Sequence, residues 1–167
     1  MPEELPVREV NPLRPVSPYG VSKVAQSFLG YQYHKNYGMK IIRTRAFNHA
    51  GPRQSDVFVT SNFAKQIAQI EKTRLDPVIK VGNLDSTRDF TDVRDVVRAY
   101  WIAMESAIPG EVYNISSERP IKIGSLLDNL TSLSTLGLFS KREANSGDDL
   151  AHISRDPTRL RSFESPV

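Results

Sequence analysis

Tyr19 and Lys23 are the residues whose types and spacing best suit chemistry, because they stand four positions apart at the start of a predicted helix. Side chains at i and i+4 share a helix face, so the Lys23 ammonium should lie beside the Tyr19 hydroxyl. A neighbouring cation favours the phenolate form of a tyrosine. Such a tyrosine can exchange a proton with a sugar or alcohol oxygen, which is general acid–base catalysis. Taken alone, however, this spacing more often belongs to an ordinary solvated helix face.

The flanking residues define the helix that would carry this pair. Ser17 is a good N-cap and Pro18 suits the first helical position, so the helix should begin just before Tyr19. Gly38 is a natural C-cap. A strand over residues 39–47 should follow and end in the sequence F-N-H-A-G-P. The apolar stripe of the predicted helix comprises Val21, Val24, Phe28 and Tyr31.

The order of helix with Tyr and Lys, strand, then F-N-x-x-G-P resembles the extended short-chain dehydrogenase/reductase family. Three segments narrow the resemblance: R-A-F-N-H-A-G-P-R-Q-S (45–55), V-G-N-L-D-S-T-R-D-F-T-D-V-R-D-V-V (81–97) and G-E-V-Y-N-I (110–115). They are similar to the GDP-mannose 4,6-dehydratase branch and, within it, most similar to the GDP-4-keto-6-deoxymannose reductases. The resemblance runs from about residue 5 to residue 133 and resumes over residues 156–167.

The resemblance implies an α/β fold, namely the C-terminal part of a Rossmann-like doubly wound parallel sheet plus part of a small substrate-binding α/β region. Residues 1–167 would form a partial domain of the NAD-dependent epimerase/dehydratase type. Residues 1–55 and 92–115 would lie mainly on the sheet side, and residues 56–91 and 116–167 mainly on the substrate side. None of the nine glycines forms the G-x-x-G-x-x-G or G-x-G-x-x-G turn that holds a dinucleotide pyrophosphate. We therefore expect this chain to be an internal piece of a longer enzyme.

The resemblance also implies roles for individual residues. Tyr19 would be the catalytic acid/base, and Lys23 would hold the nicotinamide ribose and favour the phenolate. His49 and Arg53 correspond to positions near the nicotinamide end and the phosphates of NADP or NAD. Asn48, Arg88 and Arg161 correspond to residues that contact a GDP-sugar substrate.

Each of these residues has an ordinary structural alternative. Asn48 could be a turn-forming asparagine bonded to its own backbone, and His49 and Arg53 could belong to a polar surface loop. Arg88 could pair with Asp89 or Asp92. Gln54 replaces an arginine frequent in dehydratases, and the residues after Arg161 depart from the family pattern.

The parent enzyme is expected to reduce GDP-4-keto-6-deoxymannose with NAD(P)H. One alternative is GDP-mannose 4,6-dehydratase, whose elimination step requires a carboxylate upstream of Met1. Another is a non-catalytic remnant that associates with a full-length relative. We expect no turnover from the isolated chain, and residual affinity for GDP rather than for the dinucleotide. The Tyr19 helix should expose an apolar stripe, through which the parent would form a homo-oligomer.

Composition excludes several other classes of function. The chain has no cysteine, which rules out disulfides and thiolate metal sites, and His34, His49 and His152 lack the spacing of metal ligands. The net charge is +3, but basic residues are interspersed with acids, as in residues 87–95, which argues against nucleic-acid binding. No apolar run approaches the ~20 residues of a membrane span. We expect no metal, nucleic acid or membrane partner, and a cytoplasmic location.

The rest of the sequence predicts alternating elements. Helices are expected over residues 57–72, from an Asp92 cap to about residue 108, and over residues 124–133. Strands are expected over residues 77–81 and 111–115, and a polar loop over residues 140–149. Tyr100 and Trp101 fall on the apolar stripe of the middle helix and are predicted to be core residues rather than site residues.

Overall fold

The computed structural model describes residues 4–73, 78–134, 138–142 and 150–155 of the chain. Four helices lie within these ranges: α1 (Pro18–Tyr37), α2 (Val59–Thr73), α3 (Val93–Ser106) and α4 (Ile123–Ser132). The strands are β1 (Arg43–Ala46), β2 (Asn48–Ala50), β3 (Val78–Lys80), β4 (Thr87–Asp92), β5 (Val112–Ile115), β6 (Pro120–Lys122), β7 (Leu138–Arg142) and β8 (Leu150–Arg155). The predicted α/β class is confirmed.

The described strands form three small sheets. β1 and β5 are parallel, with a register that runs from Arg43 opposite Val112 to Ala46 opposite Ile115. A second sheet has the order β2-β4-β6, in which β4 and β6 are antiparallel. The third has the order β3-β8-β7, with antiparallel pairing throughout. The parallel pair is the part of a doubly wound sheet that the sequence predicted. Parallel neighbours require a crossover connection, and here the chain between β1 and β5 includes α3 directly before β5.

The chain divides into two compact units, which are described separately. The first comprises Met1–His49 and Phe90–Glu118, and the second Ala50–Asp89 and Arg119–Val167. The largest fully buried apolar side chains of the second unit come from α2, β3 and α4: Phe63, Ile79 and Leu127. Gln66 fastens α2 to β3, since its amide donates to the Lys80 carbonyl and accepts from the Lys80 N–H (3.0 and 2.8 Å).

Helix α1 is capped as the sequence predicts. The Ser17 side chain accepts a hydrogen bond from the Gly20 N–H at 3.0 Å, and Pro18 occupies the first turn. At the other end Gly38 adopts a left-handed conformation (φ 66°), and its N–H donates to the His34 carbonyl. The left-handed region suits glycine because it has no Cβ.

Most of the apolar stripe of α1 lies on the surface, as expected for the Tyr19 helix. The partly buried positions include Gly20, Val24, Ser27 and Gly30, whereas Val21 and Phe28 are exposed. A Cβ at position 30 would lie 3.3 Å from Ile41 Cγ2, so only a small residue permits this close approach. A small residue therefore permits the close approach of α1 to β1, and the larger apolar side chains Val21 and Phe28 remain on the surface.

The prediction that Tyr100 and Trp101 are core residues is wrong. Their exposed fractions are 42% and 60%. On α3 the only buried side chain is Val96, and Ala99 and Ala103 share its face. Because successive residues turn by about 100° around a helix, Trp101 projects from the side opposite these residues.

The connection from α3 to β5 is held against the end of α1. Gly110 has φ 89°, its N–H donates to the Ile41 carbonyl, and its carbonyl accepts from Arg43 Nη2 at 2.9 Å. A Cβ at position 110 would lie 2.4 Å from His34 Nε2. The other ring nitrogen of His34, Nδ1, lies 2.8 Å from the Met39 carbonyl oxygen. Position 110 therefore requires glycine on both conformational and steric grounds.

Several boundaries differ from the sequence-based expectation. The strand expected over residues 39–47 begins only at Arg43, because a tight turn joins the Ile41 N–H to the Met39 carbonyl at 2.9 Å. The short strands β4 and β6 were not predicted. β7 extends to Arg142, so the loop expected over residues 140–149 is wrong at its start.

Asp92 caps α3 and provides the first test. Its carboxylate accepts from the Arg94 N–H at 2.8 Å and from the Arg94 guanidinium at 2.9 and 2.6 Å. These bonds lower the pKa of Asp92 from 3.8 to about 2. Since the folded pKa is below the unfolded value, the stabilisation is present above pH 3.8 and is lost as the pH falls through about 2.

We therefore expect Asp92→Asn to lower the melting temperature at pH 6 and to approach wild type near pH 2, as measured by circular dichroism. In the Arg94→Met background, the drop in melting temperature that Asp92→Asn causes at pH 6 should be smaller, because the guanidinium partner of Asp92 is gone. A constant difference between wild type and Asp92→Asn across this pH range would contradict the assignment.

Candidate active site

Tyr19 and Lys23 lie together on the first turns of α1, as the spacing predicted. Lys23 Nζ is 5.5 Å from the centroid of the Tyr19 ring and also donates to Gln26 Oε1 at 3.3 Å. The Tyr19 side chain is 72% exposed. The Ser17 cap fixes where the helix begins, and hence the face on which both groups project. A phenol and an ammonium held side by side at the surface can share a bound molecule between them.

Asn48 and His49 follow β1 after one residue, Phe47, and lie on the short strand β2. Both side chains are exposed. His49 Nδ1 lies 3.1 Å from the Phe47 carbonyl oxygen, which holds the imidazole close to the chain. In α/β sheets ligands bind outside the carboxyl ends of parallel strands. Asn48 and His49 occupy that position relative to β1.

Arg53 lies in a turn of the second unit, in which the Gln54 N–H donates to the Gly51 carbonyl at 3.2 Å. Arg53 has φ 68°, a left-handed conformation that few non-glycine residues adopt. The neighbouring Gln54 accepts hydrogen bonds from the hydroxyls of Thr60 and Ser61 at 3.1 and 3.4 Å. Gln54 is thereby engaged with the start of α2, while the Arg53 side chain is exposed.

Arg88 lies on β4 opposite Ile121 of β6, and its side chain is exposed. Its Nη1 donates to the Thr87 carbonyl at 2.8 Å. Asp92, one of the two carboxylates considered as partners of Arg88, instead binds Arg94. Arg161 lies outside the described residues.

A cleft of about 260 Å³ opens at the carboxyl ends of β1 and β5 in the first unit. The loop before α1 contributes one wall and the ends of the two strands the other. Its polar groups include the side chains of Asn11, Arg45 and Asn114, and its apolar lining includes Leu13 and Phe47. The cleft thus combines an apolar lining with a few polar groups, as small-molecule sites usually do.

The wall of this cleft is held by Glu9, which the sequence did not single out. Glu9 Oε1 accepts from the Asn114 N–H on β5 at 2.8 Å, and the Glu9 carbonyl accepts from Arg45 Nη1 on β1 at 2.9 Å. The Asn114 side chain donates to the Val7 carbonyl at 3.2 Å. The hydrogen bond from Asn114 lowers the pKa of Glu9. Burial, together with the nearby Arg43, lowers the pKa of Arg45.

Comparison with known proteins relates these features to one family. The family model of GDP-mannose 4,6 dehydratase matches residues 1–166. GDP-6-deoxy-D-mannose reductase of Pseudomonas aeruginosa is 34% identical over 96% of this chain and 48% of its own length. GDP-mannose 4,6-dehydratase of Yersinia enterocolitica is 31% identical over 97% of this chain and 47% of its own length. The chain thus spans about half the length of these curated relatives.

Solved structures show the same relationship. The structure of RMD from Pseudomonas aeruginosa complexed with NADPH aligns with a TM-score of 0.76 and 37% identity, over 78% of this chain and 44% of that one. A dTDP-glucose 4,6-dehydratase from Bacillus anthracis in complex with NAD aligns with a TM-score of 0.71 at 24% identity, over 80% of this chain and 41% of that one. The second likeness concerns the fold alone.

Two further findings are limited to the part of the chain that the structure describes. None of its helices is both long and apolar enough to cross a membrane. Within the same residues, His, Asp and Glu side chains do not gather in a group that could hold a metal ion.

Glu9 provides the second test. Glu9→Ala removes the acceptor of the Asn114 N–H, so we expect a loss of about 1–2 kcal/mol in the free energy of unfolding, measured by urea denaturation. The difference in unfolding free energy between wild type and Glu9→Ala should be full above pH 4.5 and should disappear as the pH falls through the lowered pKa of Glu9. Glu9→Gln is the matched control, because its amide oxygen can still accept; a loss as large as that of the alanine variant would contradict the role of this hydrogen bond.

Proposed function

Because the chain belongs to the GDP-mannose 4,6-dehydratase family, we propose that it supplies the acid–base pair and the substrate contacts of an NAD(P)H-dependent reductase of GDP-4-keto-6-deoxymannose. The observation that carries this proposal is the exposed Tyr19–Lys23 pair on a capped helix of the unit that holds the parallel strands. The similarity to the reductase of Pseudomonas aeruginosa supports the choice of reaction.

In this proposal Tyr19 is the general acid. Reduction of a ketone adds hydride to the carbonyl carbon and a proton to the carbonyl oxygen. The Tyr19 hydroxyl gives that proton to the oxygen, becomes a phenolate, and recovers a proton from solvent. The Lys23 ammonium stabilises the phenolate through its positive charge.

The chain offers groups that fit one end of a nicotinamide dinucleotide. Such a cofactor, when bound, supplies the hydride. The exposed ammonium of Lys23 is a donor suited to ribose hydroxyls, and His49 and Arg53 are exposed donors suited to phosphate oxygens. The related solved structures are complexes with NADPH or NAD, and both cofactors are compatible with these donors.

We assign Asn48, Arg88 and Arg161 to the GDP-sugar substrate. The guanidinium of Arg88 is exposed on β4, where its planar donor set can bind a phosphate in bidentate fashion. Asn48 offers both a donor and an acceptor to a sugar or diphosphate. A dehydratase acting on GDP-mannose is the second candidate, supported by the similarity to the Yersinia enterocolitica enzyme.

We also propose that the parent enzyme is a homo-oligomer that pairs through α1. Apolar side chains with exposed fractions between 46% and 67% lie along this helix: Val21, Phe28, Leu29, Tyr33 and Tyr37. Exposed apolar groups in this number favour a protein interface.

The catalytic assignment can be tested in a chimera in which this chain replaces the matching half of the Pseudomonas aeruginosa reductase. We expect Tyr19→Phe to lower kcat by about 10²–10⁴-fold, the usual contribution of a general acid, with NADPH consumption as the measurement. Tyr33→Phe removes a hydroxyl from the same helix and is the matched control, which should stay active. Full activity of the Tyr19→Phe chimera would refute the proposal, and conversion of GDP-mannose without net NADPH use would favour the dehydratase.

Substrate binding can be tested on the chain itself by calorimetric titration with GDP. We expect binding that Arg88→Lys weakens by roughly tenfold, because lysine keeps the charge but loses the bidentate geometry. Arg94→Lys is the matched control, since Arg94 serves the Asp92 cap. We expect NADPH to bind far more weakly than GDP; tight NADPH binding together with no effect of Arg88→Lys would contradict the assignment.

A further inference from the structure

The loop before α1 is tied to the ends of β1 and β5 at residues 7–9. Glu9 Oε1 accepts from the Asn114 N–H at 2.8 Å, and the Val7 carbonyl accepts from the Asn114 side chain at 3.2 Å. The Glu9 carbonyl accepts from Arg45 Nη1 at 2.9 Å. Val7 and Glu9 are both partly buried. These hydrogen bonds therefore fix one end of the loop against both strands of the parallel pair.

The segment that leads from this tie to α1 is short and stiff. Residues 12–18 are all exposed, and they follow a turn in which the Asn11 N–H donates to the Arg8 carbonyl at 3.1 Å. Proline fixes its own φ near about −65° and restricts the residue before it to extended conformations. Ser17, which precedes a proline, is extended (φ −143°, ψ 154°). The segment contains three prolines at intervals of three residues: Pro12, Pro15 and Pro18.

The far end of this segment meets the first turn of α1. A Cβ at position 20 would lie 3.1 Å from Pro15 Cβ and 3.3 Å from Ser17 Oγ, so the segment and the helix are in close contact there. The Val21 N–H donates to the Ser17 carbonyl at 2.9 Å. Tyr19 lies in this turn and is 72% exposed, so packing of its own side chain does little to position it.

We propose that Glu9 is a positioning residue for Tyr19. It anchors the proline-containing segment, residues 12–18, and this segment in turn sets where the first turn of α1 begins. The inference rests on the proposed function in one respect, namely that Tyr19 is the general acid. Glu9 itself does not touch the reacting atoms. Its effect is on the placement of the Tyr19 hydroxyl, and a misplacement of about 1 Å in an active site can cost about 10²-fold in rate.

Amide hydrogen exchange of the chain itself tests the mechanical part of this proposal. The amides to follow are those of Gly20 and Val21, which donate to Ser17. Glu9→Ala should speed their exchange about tenfold, because the hydrogen bond that anchors the loop is lost and the first turn opens more often. Glu9→Gln should exchange nearly as wild type does, since its amide oxygen can still accept. Unchanged rates in Glu9→Ala would overturn the proposal.

Val96→Ala is the matched control for a general loss of stability. Val96 is 2% exposed in the same unit, so its truncation destabilises that unit from α3 rather than from the loop. It should leave the exchange of Gly20 and Val21 unchanged. If Val96→Ala accelerated these two amides as much as Glu9→Ala does, the tie would be merely structural.

A second variant tests whether the effect runs through residues 12–18. Pro15→Gly loosens this segment and should itself speed the exchange of Gly20 and Val21. Adding Glu9→Ala to Pro15→Gly should then change the rates little, because two residues that act through one connection are not additive. A full tenfold effect of Glu9→Ala in the Pro15→Gly background would contradict the proposed route.

The reductase chimera tests the consequence for catalysis. Glu9→Ala should lower kcat about tenfold and leave the KM for the GDP-sugar nearly unchanged, because the residues assigned to that substrate lie outside α1. Glu9→Gln and Val96→Ala should keep kcat near wild type. An unchanged kcat in Glu9→Ala, in a chimera that Tyr19→Phe inactivates, would overturn the positioning role and leave the proposed function intact. An active Tyr19→Phe chimera would refute the proposed function itself, and with it the catalytic purpose of the tie.

Discussion

The first unit depends on the way Glu9 closes one edge of a parallel strand pair. An unpaired backbone N–H is costly when it is shielded from water, and the Glu9 carboxylate satisfies that of Asn114 on β5. Through its carbonyl, Glu9 also receives the Arg45 guanidinium from β1. One residue therefore ties the loop that leads into α1 to both strands at once. The same hydrogen bonds consequently help to fix two places at once: the start of α1, which carries Tyr19, and the end of β1, after which Asn48 follows.

The two units achieve stability by different means. The second contains most of the described fully buried apolar side chains, contributed by α2, β3 and α4. In the first, α1 has no fully buried residue and approaches β1 closely at Gly30, and α3 buries only Val96. Polar ties such as those of Glu9 and Arg43 therefore carry a larger share of its cohesion, and large apolar groups remain outside. A unit built in this way keeps its surface suited to association.

Much of this arrangement was accessible from the sequence where local chemistry decides it. The caps at Ser17, Gly38 and Asp92 each depend on a few adjacent residues, and all three are confirmed. Likewise, the i, i+4 spacing sufficed to predict that Tyr19 and Lys23 share a face. What failed was the predicted burial of Tyr100 and Trp101 on α3, because an apolar stripe does not reveal whether it meets a sheet or solvent. The Glu9–Asn114 hydrogen bond joins residues 105 positions apart, and β4 and β6 are strands only because they pair; no local pattern encodes either.

The contact between His34 and Gly110 limits how this chain can vary. Position 110 is closed to every side chain, since a Cβ there would collide with the imidazole and the backbone has positive φ. Position 34 is only partly closed, because a smaller residue would fit but would give up the hydrogen bond to Met39. Substitutions at the two sites therefore differ in what they demand. A change at 110 requires movement of both His34 and the backbone, whereas a change at 34 does not require Gly110 to move. Among relatives we expect glycine at the position of Gly110 even where histidine has been replaced.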